Sequence, residues 1–454
     1  MRSRWATAAA TLVLAVLAAL TWQAVRLTHD PPTAWHLLWL LLGMWALFGV
    51  GALLVRQTGK RAALWLIIGG GLLLQVVAMT AGPHLSSDFF RYVWDGHVQS
   101  AGVNPYLYSP VDPELAPLRD DYFFPPGRTC VDQDVVGPCP IMNRPNAHTI
   151  YPGGAQLFFR AMSAVTPDGH RALPLQIAAA VFAMSTLAIM LLLAKRRGTD
   201  PRRTVLWAWS PLIVIELGNN AHIDGLAVLL AVAGTVVLAS VTLGRSRALL
   251  GGAQLGLAVA TKLFPAAMFP SVLKRRPLLV IPSAAAAFVI TYLPYVFTAR
   301  SEVAGFLPGY LNEEDGSGLA VLRLVLPQPI ALGVGIVVLL AVTTWALLRT
   351  DPRRPWITAA ATVGVSFIVL TPAYQWYALL LVALIALGAP SRWLILPPLM
   401  TVAYIYPALE FDVPHPRGTL YLLAALFVSG AWLLRRWKDR STDTGSQEMA
   451  ETYQ

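Results

Sequence analysis

Charged residues are scarce in this chain of 454 residues: Asp, Glu, Lys and Arg together make up only 13% of it. Apolar residues reach 56%, and the mean hydropathy is +0.57. This balance excludes an ordinary soluble globular protein. The net charge of +10 requires no nucleic-acid partner, because Lys and Arg also collect beside membrane spans. We therefore expect membrane lipids, and no nucleic acid, around the chain.

Nucleotide-binding fingerprints are missing as well. The sequence contains no Walker loop and no strand followed by a GxGxxG turn, so the energy for any reaction must arrive with the substrate. Its eight histidines form no HxxxH or HxH pair, which argues against a transition-metal enzyme. We expect that no cofactor is required; a divalent cation is compatible with the sequence but not indicated by it.

Cysteine is almost absent. The two that exist, Cys130 and Cys139, lie in one polar segment with eight residues between them. In an oxidising compartment such a pair forms a disulfide that closes a small loop, and two free thiols are the alternative.

What the sequence has in abundance is apolar runs of about 20 residues, the length that crosses a bilayer as a helix. Clusters of Arg and Lys, or of Pro, Gly, Asn and Asp, separate them. They predict twelve spans, at approximately 5–27, 36–55, 62–82, 172–194, 204–218, 224–243, 277–298, 329–348, 356–371, 374–388, 393–409 and 418–434.

The orientation of these spans follows from Lys and Arg, which concentrate in cytoplasmic loops. Most of the 34 basic residues fall inside when both termini are cytoplasmic. The prediction is a multi-pass protein of the cell membrane, with one transmembrane domain at 1–440, an external loop at 83–171 and a disordered cytoplasmic tail at 441–454. The N-terminus also resembles a signal peptide, but its apolar run lacks a clear cleavage site, which favours a retained helix.

The segment 248–272 does not fit a simple crossing, because basic clusters flank it on both sides. A single span would place one of those clusters on the wrong side of the membrane. A re-entrant hairpin that turns near Lys262 resolves the conflict, with Pro265 breaking the helix where protein surrounds it.

The external loop holds nine of the 24 acidic residues. It begins with a segment that, at about 3.6 residues per turn, places Asp88, Arg91 and Asp95 on one helical face and aromatic residues on another. We expect this helix, and a second near 156–159, to lie along the outer membrane surface. Asp88 could be a catalytic carboxylate or a helix cap. Arg91 could hold Asp88 ionised or form an ordinary helical pair with it, and Asp95 could be a solvated residue or a polar contact.

A second polar set lies where the fifth and sixth spans meet. Ionisable groups at membrane depth are functional candidates, which singles out Glu216, His222 and Asp224; a capped polar turn is the alternative. Lys262 is a further candidate: it could face an anionic ligand, or its side chain could extend to the lipid headgroups. Arg323 is another: it could bind phosphate, or it could anchor the chain at the membrane interface. The aromatic residues Tyr374, Trp376 and Tyr377 could stack on a sugar, but we favour an interfacial belt.

Three motifs of the external loop resemble a known family. The sequences SDFFRYVWDG at 87–96, GVNPY at 102–106 and TIYP at 149–152 are similar to the first extracytoplasmic loop of the C-type (GT-C) membrane glycosyltransferases. They are most similar to that of the actinobacterial polyprenol-phosphate-mannose-dependent mannosyltransferases. The resemblance implies an all-α, GT-C-like polytopic fold in which Asp88 matches an essential carboxylate. The cysteine-containing stretch 123–142 lies outside the resembling pattern.

The resemblance further implies transfer of a sugar, in the first place mannose, from a polyprenyl-phosphate donor to a glycolipid or glycan acceptor on the outer face. Because polyprenyl phosphate is a good leaving group, one general base and cations for the phosphate suffice for single displacement. Arabinofuranose remains an alternative sugar. A secondary transporter or flippase, and a lipid-glycan ligase or polymerase, are alternative functions. The candidate substrate-binding residues are Arg91, Asp95, Tyr151, Glu216, His222, Asp224, Lys262 and Arg323.

Overall fold

The structure is a computed structural model that describes residues 2–28, 30–128, 139–166, 171–305, 318–411 and 413–451. These residues are helical or irregular, and none of those described forms a strand. The α-helices are α1 Arg2–Ala24, α2 Pro31–Gln57, α3 Lys60–Ala78, α4 Asp88–Ser100, α5 Gly153–Val165, α6 Leu173–Arg197, α7 Val205–Ala208, α8 Pro211–Ile213, α9 Asp224–Leu238, α10 Arg245–Thr261, α11 Pro277–Ala299, α12 Ala320–Arg323, α13 Gln328–Arg349, α14 Trp356–Leu370, α15 Leu379–Leu387, α16 Leu396–Ile405 and α17 Pro416–Glu451.

Short 3₁₀ helices and one π-helix complete the described elements. The 3₁₀ helices are Pro113–Leu118, Pro201–Thr204, Phe264–Ser271, Arg300–Ala304, Gln375–Ala378, Ser391–Ile395 and Tyr406–Leu409, and the π-helix is Val214–Asn219.

Seven helices of the described chain are long and apolar enough to cross a membrane, namely α1, α2, α3, α6, α11, α13 and the first part of α17. This confirms an all-α protein with membrane-embedding helices. Three shorter apolar helical segments are present as well: Asp224–Leu238, Trp356–Leu370 and Gln375–Leu387. The twelve crossings and their orientation stay a prediction.

Long and short apolar helices differ in how far they are covered. Helix α15 is apolar on every side, and all its residues from Leu379 to Ala386 are buried. By contrast, α3 exposes Trp65 and α13 exposes Leu340. Either protein or lipid can cover an apolar helix: protein covers α15 on all sides, whereas the exposed apolar faces of the long helices suit lipid.

The fifth predicted span is not one continuous helix. The chain from 204 to 219 divides into α7, α8 and the π-helix Val214–Asn219. Pro211 has no amide proton to donate to the preceding turn, so the regular helix is interrupted there. The interruption allows the following residues to adopt the wider π geometry, which is found mostly at functional sites.

The predicted chain reversal at Lys262 is present. Helix α10 ends at Thr261, Lys262 is extended, and the 3₁₀ helix Phe264–Ser271 follows. A Cβ atom added to Gly252 would lie 2.5 Å from the carbonyl oxygen of Val280, and one added to Gly256 would lie 2.1 Å from that of Ala284. Helices α10 and α11 are therefore in close contact. They run parallel, because the residue numbers of both helices increase in the same direction along the contact. Parallel neighbours require the intervening chain to return to its starting end, which is the geometry of a re-entrant hairpin.

Two helices of the segment 83–171, which is predicted to be external and is called the external loop below, pack against each other. Helices α4 and α5 cross at Gly96, where an added Cβ would lie 2.6 Å from the carbonyl oxygen of Phe159. The polar residues of α4 are covered by this contact, because Arg91, Asp95 and Gln99 are all buried. Of the two alternatives for Asp95, the solvated residue is therefore wrong and the polar contact is correct, because α5 and the preceding loop exclude water from its carboxylate.

The C-terminal helix α17 extends from Pro416 to Glu451. The helix contains no proline after Pro416, so the apolar first half can propagate its helix into the polar second half. The disordered cytoplasmic tail at 441–454 stays a prediction.

Candidate functional site

The candidate site is built at the junction between the π-helix and α9. Ala221 adopts a positive φ of 55°, which reverses the chain between Asn220 and the start of α9. Three ionisable side chains, Glu216, His222 and Asp224, consequently face one another, and all three are fully buried. The interrupted helix thus brings together a set of charges that a regular span would have separated.

Glu216 is held by several neighbours. Its Oε1 accepts a hydrogen bond of 2.6 Å from Gln375, and its Oε2 accepts one of 3.0 Å from Asn220. The Nε2 atom of His222 lies 3.1 Å from the same Oε2, close enough for an ion pair if the ring is protonated, but it makes no hydrogen bond. Both carboxylate oxygens therefore accept hydrogen bonds, and Glu216 serves to position Gln375 and Asn220.

Asp224 has a different environment. The Nζ atom of Lys262 lies 3.5 Å from its Oδ2, and Nδ1 of His222 lies 4.0 Å from the same oxygen. Neither carboxylate oxygen of Asp224 accepts a hydrogen bond from the described residues. A buried carboxylate normally receives such bonds. The two oxygens of Asp224 can therefore accept hydrogen bonds from a polar ligand.

Lys262 is nearly buried and lies among aromatic rings. Its Nζ is 5.0 Å from the ring centre of Tyr151 and 5.8 Å from that of Tyr377. The extended backbone of Lys262 ends α10 close to the first residue of α9, Asp224. The turn of the hairpin therefore places the Lys262 ammonium group beside the Asp224 carboxylate. A cation held between a carboxylate and aromatic faces can also attract an anionic group.

Asp88 is the first residue of α4 and is half-buried. Its Oδ1 accepts a hydrogen bond of 3.0 Å from Asn143, a residue of the same external loop. Ser87 occupies the capping position and makes no side-chain cap. The hydrogen bond to Asn143 ties Asp88 to the loop, whereas a cap would tie it to the backbone of α4.

Tyr92 connects the external loop to the buried junction. Its hydroxyl lies 3.2 Å from Nδ1 of His222, and its ring stacks on Phe159 at 4.7 Å. Burial raises the pKa of Tyr92 well above its ordinary value, and the carboxylates of Asp88 and then Asp224 raise it further. Both carboxylates therefore act on the same hydroxyl from opposite elements, one on the loop helix and one on α9.

An aromatic wall closes the site. Trp376 stacks on His222 with ring centres 4.2 Å apart, and Tyr374 stacks on Trp376 at 4.6 Å. Trp376 is buried, and its Nε1 donates to no acceptor in the part of the chain described here. The interfacial belt favoured from the sequence is wrong for Trp376, because the turn after α14 carries it inward against the junction.

Arg91 and Asp95 form a clamp beside the site. Arg91 donates to Asp95 at 2.9 Å and to the carbonyl oxygen of Ala147 at 3.0 Å. The second oxygen of Asp95 accepts hydrogen bonds from Thr149 at 2.6 Å and Gln156 at 2.7 Å. The expected pairing of Arg91 with Asp88 is therefore wrong: the spacing of one full turn and the fixed loop favour Asp95.

Of the residues predicted from the sequence, six lie together in the site: Asp88, Tyr151, Glu216, His222, Asp224 and Lys262. Arg323 is exposed on α12, which contacts α13, α14 and α17. Cys139 is disulfide-bonded, and Cys130 lies outside the described residues, so their predicted pairing stays a prediction.

Sequence reasoning missed Tyr92, Asn143 and Gln375. Tyr92 lies inside the recognised loop motif, and its spacing of one turn from Asp88 could have identified it. Gln375 was hidden in the aromatic run after α14, and nothing local in the sequence distinguishes it. Asn143 carries no signal, because only the folded loop brings it to Asp88.

Comparison with known proteins adds no relative. No protein-family model matches the chain, and neither a curated protein nor a solved structure matches it.

Proposed function

We propose that the protein is a polyprenyl-phosphate-sugar-dependent glycosyltransferase with a GT-C-like fold, and that its sugar is mannose. The observation that carries this proposal is the placement of Asp88. Asp88 is a half-buried carboxylate one helical turn before Tyr92, whose hydroxyl lies 3.2 Å from His222, and the carboxylate of Asp224 lies beside Lys262. The site therefore contains one partly accessible proton acceptor and one cation, as single displacement from a lipid phosphate requires.

In the proposed reaction, an acceptor hydroxyl oxygen forms a bond with the anomeric carbon of the donor sugar. The bond from that carbon to the phosphate oxygen breaks, and its electron pair leaves with the polyprenyl phosphate. The hydroxyl proton passes to Asp88. The product then has the inverted anomeric configuration, because only one displacement takes place.

The two remaining features have complementary roles. Lys262 would stabilise the negative charge that develops on the departing phosphate, since its Nζ lies at the end of the hairpin between aromatic rings. Tyr374 is partly exposed and offers an aromatic ring of the kind that stacks on sugars, and the N–H of Trp376, which donates to no acceptor among the described residues, is a donor for a sugar hydroxyl. The acceptor would be a lipid-linked or cell-envelope glycan on the outer face.

One observation favours a second function. His222, Asp224 and Lys262 form a buried, ionisable set at an interrupted helix, and proton-coupled transporters use sets of this kind. A secondary transporter or flippase of a lipid-linked substrate would therefore use the same residues without forming a glycosidic bond.

The test uses full-length protein reconstituted into liposomes with radiolabelled polyprenyl-phosphate-mannose and a crude glycolipid acceptor. We expect labelled glycolipid from this donor, none from a nucleotide-sugar donor, and loss of product in Asp88→Asn. The matched control is Asp121→Asn, an exposed carboxylate of the same loop. Movement of label across the bilayer without a new glycolipid would instead identify a transporter.

A further inference from the structure

A large cavity lies away from the candidate site, at the opposite end of α9. Its volume is about 870 Å³, and its walls come from the ends of α2 and α6, the 3₁₀ helix Pro201–Thr204 and the turn before α14. Helix α9 starts in the candidate site at Asp224 and ends at Leu238, next to Ala239, which lines this cavity. Fifteen residues of α-helix extend about 22 Å, so the two sites are well separated.

The cavity is strongly basic. Seven arginines line it, and Asp200 is the one carboxylate among the lining residues. Asp200 pairs with Arg202 at 3.1 Å, which leaves six guanidinium charges without a lining acid. Like charges gathered in a concave site raise one another's energy and attract anions.

Two of the arginines are fixed parts of the wall. Arg197 donates to the carbonyl oxygens of Arg353 at 2.6 Å and Ala239 at 2.9 Å, and its guanidinium lies 4.8 Å from the ring centre of Trp356. Arg203 donates to the carbonyl oxygens of Ile385 and Ala389. Burial lowers the pKa of Arg203, and the charge of Arg56 lowers it further. These groups are positioned before any ligand arrives.

Four other arginines remain available. The side chains of Arg56, Arg196, Arg353 and Arg354 are exposed and form no hydrogen bond or ion pair with the described residues. One guanidinium group can donate two parallel hydrogen bonds to two oxygens of the same phosphate. Apolar side chains such as Met190, Leu193 and Ile357 lie between them in the cavity wall.

From this placement we propose that the cavity binds the phosphate of an anionic ligand. The phosphate would lie among the exposed arginines, and any attached hydrocarbon would lie against the apolar part of the wall. Two sources share this chemistry: the headgroup of an anionic lipid, which basic pockets between membrane helices recognise, and a soluble phosphate or diphosphate. Binding here requires neither Asp88 nor the proposed transfer reaction.

The experiment measures ligand binding to the full-length protein in a neutral detergent. The probes are inorganic pyrophosphate, mixed micelles containing phosphatidylglycerol, and mixed micelles containing phosphatidylcholine as the zwitterionic control. We expect phosphatidylglycerol, pyrophosphate or both to bind, phosphatidylcholine not to bind, and affinity to fall as salt increases. Pyrophosphate binding without lipid indicates a soluble source, and binding of phosphatidylglycerol alone indicates a lipid headgroup.

The variants locate the site. In Arg353→Gln/Arg354→Gln the dissociation constant should rise about tenfold or more, because two charges next to the phosphate are lost. The matched control is Arg245→Gln/Arg276→Gln, which removes two exposed charges from the same end of the hairpin but outside the cavity, and it should change affinity less than twofold.

Equal losses in both double variants would overturn the proposal, as would failure of the wild-type protein to bind either anionic probe. If Arg353→Gln/Arg354→Gln does not fold, Arg196→Gln provides the same comparison with a single exposed arginine.

Discussion

The hydroxyl of Tyr92 and the Nδ1 atom of His222 lie 3.2 Å apart, although 130 residues separate them in the chain. One residue belongs to a helix of the external loop and the other to the buried junction before α9. Their contact makes the loop and the membrane-embedded residues parts of one site.

Removal of the Tyr92 hydroxyl should weaken the connection without disturbing packing. Tyr92→Phe retains the stacked contact with Phe159, so we expect a loss of about 1 kcal/mol in unfolding free energy. Sugar transfer should fall about tenfold, because His222 loses the group that orients its ring. Transfer assays and thermal unfolding of the purified protein measure both effects. Tyr122→Phe, a change at a more exposed tyrosine of the same loop, should leave transfer within twofold; a similar loss there would point to a general effect on the loop.

Neutralisation of Asp88 should abolish proton transfer while preserving the fold. Asn at this position can still accept the hydrogen bond from Asn143, so the helix start survives. Transfer should fall by about 10² to 10⁴-fold if Asp88 is the general base. Initial rates at saturating donor, compared with Asp121→Asn, measure this.

Another outcome would relocate the base. If Asp88→Asn retains near-normal transfer in folded protein while Asp224→Asn or Glu216→Gln abolishes it, the active carboxylate lies at the junction and not on α4.

Asp95 should matter for stability more than for catalysis. Its carboxylate receives hydrogen bonds from Arg91, Thr149 and Gln156, all buried. Asp95→Asn leaves Arg91 buried without its counter-charge, so we expect a loss of about 3 kcal/mol in unfolding free energy. Activity per folded molecule should change little. Thermal unfolding with parallel quantification of folded protein separates the two effects; a stable but inactive Asp95→Asn protein would show that Asp95 contacts substrate.

A double-mutant cycle can distinguish the roles of Lys262 and Asp224 in stability and in sugar transfer. Lys262→Met alone leaves Asp224 as an uncompensated buried acid, and it should lower both stability and transfer. Adding Asp224→Asn should recover stability because the unpaired charge is gone. If Lys262 binds the donor phosphate, transfer stays low in the double variant and the donor KM rises. Recovery of transfer together with stability would assign Lys262 to charge pairing alone.

The parallel packing of α10 and α11 makes a topological prediction. Cysteines introduced at Ser246 and Lys274, both exposed at the same end of the hairpin, should react alike with an impermeant thiol reagent on intact cells. Ala101→Cys, exposed in the external loop, provides the opposite reference. Different reactivity at positions 246 and 274 would mean that the segment crosses the membrane.

The sequence alone was sufficient for the local features. Apolar periodicity and length predicted the long helices, because a 20-residue run can be satisfied in lipid only as a helix. The basic residues at both ends of 248–272 predicted the reversal at Lys262. Glu216, His222 and Asp224 stood out because ionisable groups are rare in apolar segments.

Only the tertiary structure decided which of these groups meet. The clamp between Arg91 and Asp95 depends on Ala147, Thr149 and Gln156, which reach α4 through loop folding. Trp376 could belong to a lipid interface or to a buried wall, since an aromatic residue after a span suits both. The contacts that join Tyr92 to His222 and Lys262 to Asp224 arise from packing between distant helices, and no periodicity along the chain encodes such distances.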